Sequence, residues 1–431
     1  MTATGECFDS AGSIQVWIED CKCLLTLLAS GGRGIFAILM MVVAMSAVPA
    51  QERTESFLGN LAPIARSIQR ERGFPLAYNQ RGAVAVEEWR ARARAEVQHQ
   101  LSYWPKTVPL DVRVDAVSPR DGYEVRTISF AGSAHYRIPA YLLVPTSGRG
   151  PFPGVVALHD HGGWFFHGKE KIVRMPGELA AIQTFREELY SGRAYAEDLA
   201  ERGFVVIVPD AFYWGDRRMQ FEQPPPGLTS RLQGLKPGSI EYVRATNRYL
   251  LETVPTMHMW LAFAGTKWGG IVNYDDRRCV DLLVSLPEVD AQHIGCLGLS
   301  GGGFRSTYLC GMEPRIKAAV IAGWMTSLPT TFDINRQVHT YMLEPFGVQG
   351  FLDHPDVASL GAPECALFVQ NCGQDRLFTR DGMDAAVEKI HSVYVDLQHP
   401  ERFLGRFYDV PHEFNVEMQE DAFRWLERWL K

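Results

Sequence analysis

The chain is short of positive charge. Its 431 residues carry 43 Lys and Arg against 50 Asp and Glu, a formal net charge of −7, so it lacks the basic excess that a nucleic-acid partner would favour. Cysteine is sparse as well: the eight residues show none of the close repeated spacing of a zinc site or a small disulfide framework. Cys7, Cys21 and Cys23 precede an apolar run at 35–50, and the five that follow it, Cys279, Cys296, Cys310, Cys365 and Cys372, read as small buried hydrophobes, with one disulfide left open in an oxidising compartment. There is no internal repeat, heptad run or low-complexity tail, which sets aside solenoids and coiled coils. What is present is an ordinary globular composition, 46% hydrophobic and 22% charged, enough to bury a sizeable core.

The run Ile35 to Ala50 is uncharged, follows Arg33, and ends with Val48 and Ala50 at the −3 and −1 positions of a cleavage site. It falls short of the roughly 20 residues a spanning helix needs. This layout predicts a signal peptide over 1–50 and a secreted or periplasmic protein with no stable membrane span after cleavage. An uncleaved anchor and a later start near Met40 are the alternatives. No Cys stands just after the run, so no lipoprotein anchor is expected.

Beyond it, residues 51–120 are rich in Arg, Glu and Ala and predict a helical extension, with a helix over Ala83 to Gln100 that Pro105 and Pro109 terminate. Tyr123 to Ser129 and Tyr136 to Val144 alternate and predict an antiparallel hairpin. From Gly154 onward, short apolar runs (Val155 to His159, Phe204 to Val208, His293 to Leu299, Ile316 to Gly323, Ala366 to Gln370) alternate with helical stretches at 177–202, 277–286, 304–311 and 414–430. That rhythm predicts an α/β fold, a mostly parallel sheet flanked by helices, over 121–431. Segments at about 213–255 and 326–362 break the rhythm after strand ends and read as insertions that shape a pocket.

The sharpest motif is Gly298-Leu299-Ser300-Gly301-Gly302, which follows a strand and precedes a helix. A nucleophile on such a turn needs small neighbours because the backbone passes close to itself, and the helix start behind it favours developing negative charge. A serine hydroxyl also needs a base, and in this arrangement acid and then His follow the serine along the chain. Asp375 lies in a Gly-containing turn after the run 366–370 and is preferred over Asp333; His412 follows Phe407 to Val410 and Pro411. His399, His391 and His354 are worse placed. The expected roles are Ser300 as nucleophile, His412 as general base then acid, and Asp375 as its orienting partner. For the oxyanion hole the candidates are the amide of Gly301 and that of Gly163 or Trp164 in His161-Gly162-Gly163-Trp164, a choice left open. His159, Asp160 and His161 invite a metal reading, but successive strand residues face opposite ways and no third ligand is evident. They are expected to brace the oxyanion loop, and no metal or cofactor is expected. Asp210 and 213–218 could line the pocket or be structural.

Leu158-His-Asp-His-Gly-Gly-Trp164, Gly168-Lys-Glu-Lys171, Pro209 to Arg217 and Gly295 to Gly303 resemble the acetylxylan-esterase-like and dienelactone-hydrolase-like branch of the α/β-hydrolases. The resemblance covers about 121–431 and implies esterases of acylated carbohydrates with a triad at Ser300, Asp375 and His412. Dienelactone hydrolases proper use Cys where Ser300 stands, which favours ordinary ester cleavage. The function expected is a serine esterase acting through an acyl-enzyme on a small-molecule or carbohydrate ester. A prolyl-oligopeptidase-like peptidase is the alternative, but about 70 residues after the signal are too few for a propeller domain. A non-catalytic binding protein would be expected to have lost a triad position, and all three are filled. Oligomeric state, acyl group and alcohol are not legible.

Overall fold

In the central strands, successive residues point to opposite faces and both are apolar. Val205 and Ile207 join one core while Val206 and Val208 join another; Ala319 and Ile321 are separated in the same way from Ala318, Val320 and Ala322. Such strands must be covered on both sides. The computed structural model of the chain, which describes residues 56, 58–333 and 346–431, shows how. The expected signal segment lies outside the described residues, as does 334–345.

Among the described residues, strands β1 (Arg113–Pro119), β2 (Tyr123–Ala131), β3 (Arg137–Pro145), β4 (Phe152–Leu158), β5 (Val205–Pro209), β6 (Val289–Leu299), β7 (Ile316–Ala322), β8 (Ala366–Cys372) and β9 (Phe403–Tyr408) form one sheet of order β1-β2-β3-β5-β4-β6-β7-β8-β9. The first three strands and β5 pair antiparallel; β5, β4, β6, β7, β8 and β9 run parallel. Chain order reverses between β4 and β5, so the loops after β4, β6, β7, β8 and β9 open at one edge, where such sheets bind ligands.

The helices, numbered in chain order, are α1 (Ala62–Arg72), α2 (Val86–Leu101), α3 (Ala180–Tyr190), α4 (Tyr195–Glu201), α5 (Pro226–Leu232), α6 (Ile240–Phe263), α7 (Trp268–Ser285), α8 (Gly301–Met312), α9 (His354–Ser359), α10 (Arg380–Asp396) and α11 (Val416–Leu430). One face of the sheet packs on α2, α7, α8 and α10, the other on α3, α4 and α11.

Three expectations need correction. The stretch 51–120 is not wholly helical, because Arg113–Pro119 forms the edge strand β1; nearly every residue in it is exposed, so it carries no buried alternation to read. Glu55–Lys431 cluster as one compact unit, extension included. The helix expected over 177–202 is two helices, broken where Ser191 (φ 52°) and Gly192 (φ 75°) turn left-handed. The segment 326–362 is not all pocket loop: 352–362 is almost wholly buried, and α9 packs so closely on α8 that a Cβ on Gly311 would lie 2.1 Å from the Val357 carbonyl oxygen. Its polar residues are absorbed locally, with Asp353 capping α9 and Asp356 accepting from Lys389. The segment 213–255 instead runs on into α6, through Pro255 to Phe263.

Helix α2 ties the extension to the core by burying Trp89, Ala93, Val97 and Leu101, one stripe at four-residue spacing. Arg94 on the same helix donates to the carbonyls of Gly311 and Leu360. Leu101→Ala is therefore expected to lower the unfolding free energy by about 3 kcal/mol in urea titration; a loss below about 1 kcal/mol would mean that the extension is peripheral.

Candidate active site

The turn from β6 into α8 fixes the position of Ser300. Its backbone is left-handed (φ 56°, ψ −116°), a conformation that costs a non-glycine residue about 1–3 kcal/mol. Its N–H donates to the Ala322 carbonyl at 2.8 Å and its carbonyl accepts the first helical bond, from Phe304. The neighbours must lack side chains. A Cβ on Gly301 would sit 2.8 Å from His161 N, and one on Gly302 would sit 2.0 Å from the Leu158 carbonyl oxygen. The glycines thus let the start of α8 lie against β4 and its loop. As the first residues of a helix, Gly301 to Gly303 have no intrahelical acceptor for their amides.

Asp375 and His412 meet at the same edge. The turn after β8 carries Asp375, whose Oδ1 accepts from the Leu377 N–H at 2.8 Å and whose Oδ2 lies 2.6 Å from Nδ1 of His412. The loop after β9 carries the imidazole over Gly323, the residue after β7. A Cβ built there would lie 3.0 Å from Leu299 Cδ1 and 3.4 Å from His412 Cε1, so the ring lies one residue beyond the carbonyl that accepts from Ser300. Nδ1–H directed at the carboxylate leaves Nε2 as the basic nitrogen. No hydrogen bond joins Ser300 to His412 among the described residues; such contacts commonly tighten only with substrate bound. Asp333 ends a 3-10 helix, Leu328–Asp333, in the segment after β7.

The oxyanion loop differs from expectation. The Gly163 amide donates to His161 Nδ1 at 2.9 Å, and the Trp164 amide to the His161 carbonyl at 3.2 Å. Both candidate donors are turned onto their own loop, the Gly163 amide by the His161 side chain and the Trp164 amide by a backbone turn. The loop amide nearest Gly301 is that of His161.

His159 does brace the loop. Its Nε2 accepts from the Ala211 N–H and its Nδ1 donates to the Asp160 carbonyl; burial, reinforced by the Lys171 ammonium, pushes its pKa far down, keeping this neutral tautomer. Asp210 is structural: its carboxylate accepts from Lys169 Nζ, from the Lys169 amide and from the Asp216 amide. Burial alone would push the Lys169 ammonium down, but Asp210, Glu170 and Asp216 hold it well above its usual value. Glu170, Asp210 and Asp216 are a group with metal-ligand spacing, yet Lys169 Nζ lies within 3.0 Å of all three, so a cation already occupies their centre. Around the loop, α6 contributes Asn247, whose Oδ1 accepts from the Phe166 N–H. The five described cysteines are all buried and free, with Cys310 and Cys365 in Sγ contact at 3.4 Å.

Sequence reasoning missed Lys169, Lys171, Tyr190 and His167. The charged Gly168-Lys-Glu-Lys171 so close to the His-Gly-Gly turn was the one available signal for the lysines; Tyr190 and His167 left none.

The order of the sheet and the strand-end loops define the α/β-hydrolase fold. No family model matches the chain. A Bacillus subtilis (strain 168) protein provisionally named a hydrolase, YtaP, is 23% identical over 348 residues, covering 79% of this chain and all of that one. A Bacteroides fragilis NCTC 9343 structure, provisionally called an acetyl xylan esterase, superposes with a TM-score of 0.62 at 14% identity, over 80% of this chain and 81% of its own. The glucuronoyl esterase of Solibacter usitatus superposes with a TM-score of 0.52 at 13% identity, over 81% and 93%.

His167 lies under the loop, where its Nδ1 accepts from the Trp164 indole N–H at 3.0 Å. Burial pushes its pKa down from 6.5 to about 4. A depressed folded pKa contributes stability above pH 6.5 that is lost as pH falls towards 4, here on the order of 3 kcal/mol. His167→Gln, which keeps an acceptor but cannot titrate, is expected to flatten the decline in urea-unfolding free energy between pH 7 and pH 4.5. An equally steep decline in the variant would contradict this.

Proposed function

We propose that the protein is a serine ester hydrolase that works through an acyl-enzyme. The observation that carries this reading is the 2.6 Å contact of Asp375 with His412, at the strand edge where Ser300 stands in a strained strand-to-helix turn. His412 Nε2 takes the Ser300 hydroxyl proton as Oγ attacks the ester carbonyl. Asp375 stabilises the imidazolium that forms. The Gly301 amide, at the start of α8, and an amide of the loop after β4 stabilise the oxyanion. His412 then passes its proton to the leaving alcohol, and water, activated by the same ring, releases the acid from Ser300.

The substrate is a small-molecule or carbohydrate ester, with acetylated carbohydrate favoured. Two things support this. The solved structures of similar fold include proteins named for acetyl xylan and glucuronoyl esters, and the half-buried aromatics Trp164 and Phe166 border the loop, offering flat apolar faces. The signal-like sequence of 1–50 supports a location outside the cytoplasm, where such esters occur. The dienelactone-hydrolase-like likeness rests on sequence motifs alone, and Ser300 in place of Cys favours esters.

Ser300→Ala is expected to reduce p-nitrophenyl acetate turnover by at least about a thousandfold with the melting temperature little changed, since alanine keeps the backbone conformation and loses only the hydroxyl. Equal rates in the two proteins would refute the reading.

A further inference from the structure

Lys171 is wholly buried, and the catalytic scheme so far gives it no task. Its Nζ donates to the Asp160 carbonyl at 2.9 Å and to the His161 carbonyl at 3.1 Å. It also approaches Asp160 Oδ2 at 3.3 Å, while Tyr190 donates to Oδ1 of the same carboxylate at 2.5 Å. Each carbonyl has further partners: His159 Nδ1 donates to that of Asp160 at 2.9 Å, and Trp214 Nε1 and the Trp164 amide donate to that of His161, each at 3.2 Å.

Two consecutive peptide planes are therefore pinned by their oxygens to one ammonium. In a trans peptide the N–H points opposite to the preceding C=O. Holding the Asp160 oxygen on Lys171 turns the His161 N–H the other way. That side is the nucleophile turn, because His161 N lies 2.8 Å from where a Cβ of Gly301 would be.

We infer that Lys171 is a positioning residue that orients the His161 amide as the second oxyanion donor beside the Gly301 amide. The inference rests on the ester-hydrolase reading. Lys171 touches no substrate; it acts through the direction of a peptide plane. The task suits a lysine, whose three N–H donors serve two carbonyls and a carboxylate at once. A methionine fills the same volume and pins nothing.

The test compares wild type, Lys171→Met and Trp214→Phe, which removes the indole donor to the His161 carbonyl while keeping an aromatic ring in the buried cluster with His161, Phe165 and Trp268. The readouts are kcat and KM on p-nitrophenyl acetate and inhibition by phenylboronic acid, which becomes tetrahedral on Ser300 and places an oxygen in the hole. Loss of a well-aimed oxyanion donor costs up to about 10²–10³ in kcat, so a misaimed one is expected to cost about 10- to 100-fold. KM should stay within about twofold, and boronate affinity should fall in step with kcat. Trp214→Phe should show the same pattern with a smaller fall. A folded Lys171→Met with kcat and boronate affinity within twofold of wild type overturns the inference, as does a fall in which KM rises and boronate affinity is kept. If Lys171→Met does not fold, Trp214→Phe decides on the same criteria. Ser300→Ala run in parallel separates the failures: an active Ser300→Ala sinks the hydrolase reading, whereas an inactive one beside a normal Lys171→Met sinks only the role of Lys171.

Discussion

Where the first two residues of α8 meet β4 and its loop there is no room for a side chain. The Leu158 carbonyl and the His161 backbone occupy the space that residues 301 and 302 would need for a Cβ. That close approach sets the rest of the site. It goes with the left-handed conformation of Ser300 and brings the loop after β4 against the nucleophile turn, beside the first amides of α8, which like those of any helix lack helical partners. The strain of about 1–3 kcal/mol is held because β6 is paired along its length with β4 and β7. A residue in a looser sheet would relax.

The loop after β4 is fixed from below by charge. Lys169 sits among Asp210, Asp216 and Glu170, and Lys171 sits on Asp160 and two carbonyls. Burying two ammonium groups costs several kcal/mol each before compensation. Here the return is fixed direction: each donor is aimed at a backbone or carboxylate oxygen of the loop or of the segment after β5. His159, kept neutral by burial, adds a donor and an acceptor to the same frame. A hydrophobic floor could fill this volume and still leave the peptide planes free to turn. The fold thus uses polar burial where orientation matters and apolar burial elsewhere.

The strands that carry the site were legible because each is a short apolar run with both neighbours buried. The order of serine, acid and histidine along the chain predicts Ser300, Asp375 and His412 at one edge, and Asp375 and His412 are in contact there. The edge strand β1 was not legible, since Arg113–Pro119 is exposed and polar. The break at Ser191-Gly192 was hidden in an otherwise helical composition. For the candidate donors at Gly163 and Trp164 the local geometry was not legible: the Gly163 amide donates to His161 Nδ1 and the Trp164 amide to the His161 carbonyl, contacts that no spacing rule encodes. Nothing in a Gly-Lys-Glu-Lys run marks its lysines as buried; the burial of Lys169 depends on Asp210 and Asp216, some forty residues further along, and that of Lys171 on Asp160 and two loop carbonyls.

The central claim is that Ser300 is the group made nucleophilic by the Asp375–His412 pair. The most direct measurement is covalent trapping by a p-nitrophenyl alkylphosphonate, with intact mass and peptide sequencing by tandem mass spectrometry. The account predicts one phosphonyl group per chain, located on Ser300, with activity lost in proportion to labelling and with labelling abolished or slowed at least about a hundredfold in His412→Ala. Label on another residue, or esterase activity that survives full modification of Ser300, would contradict it.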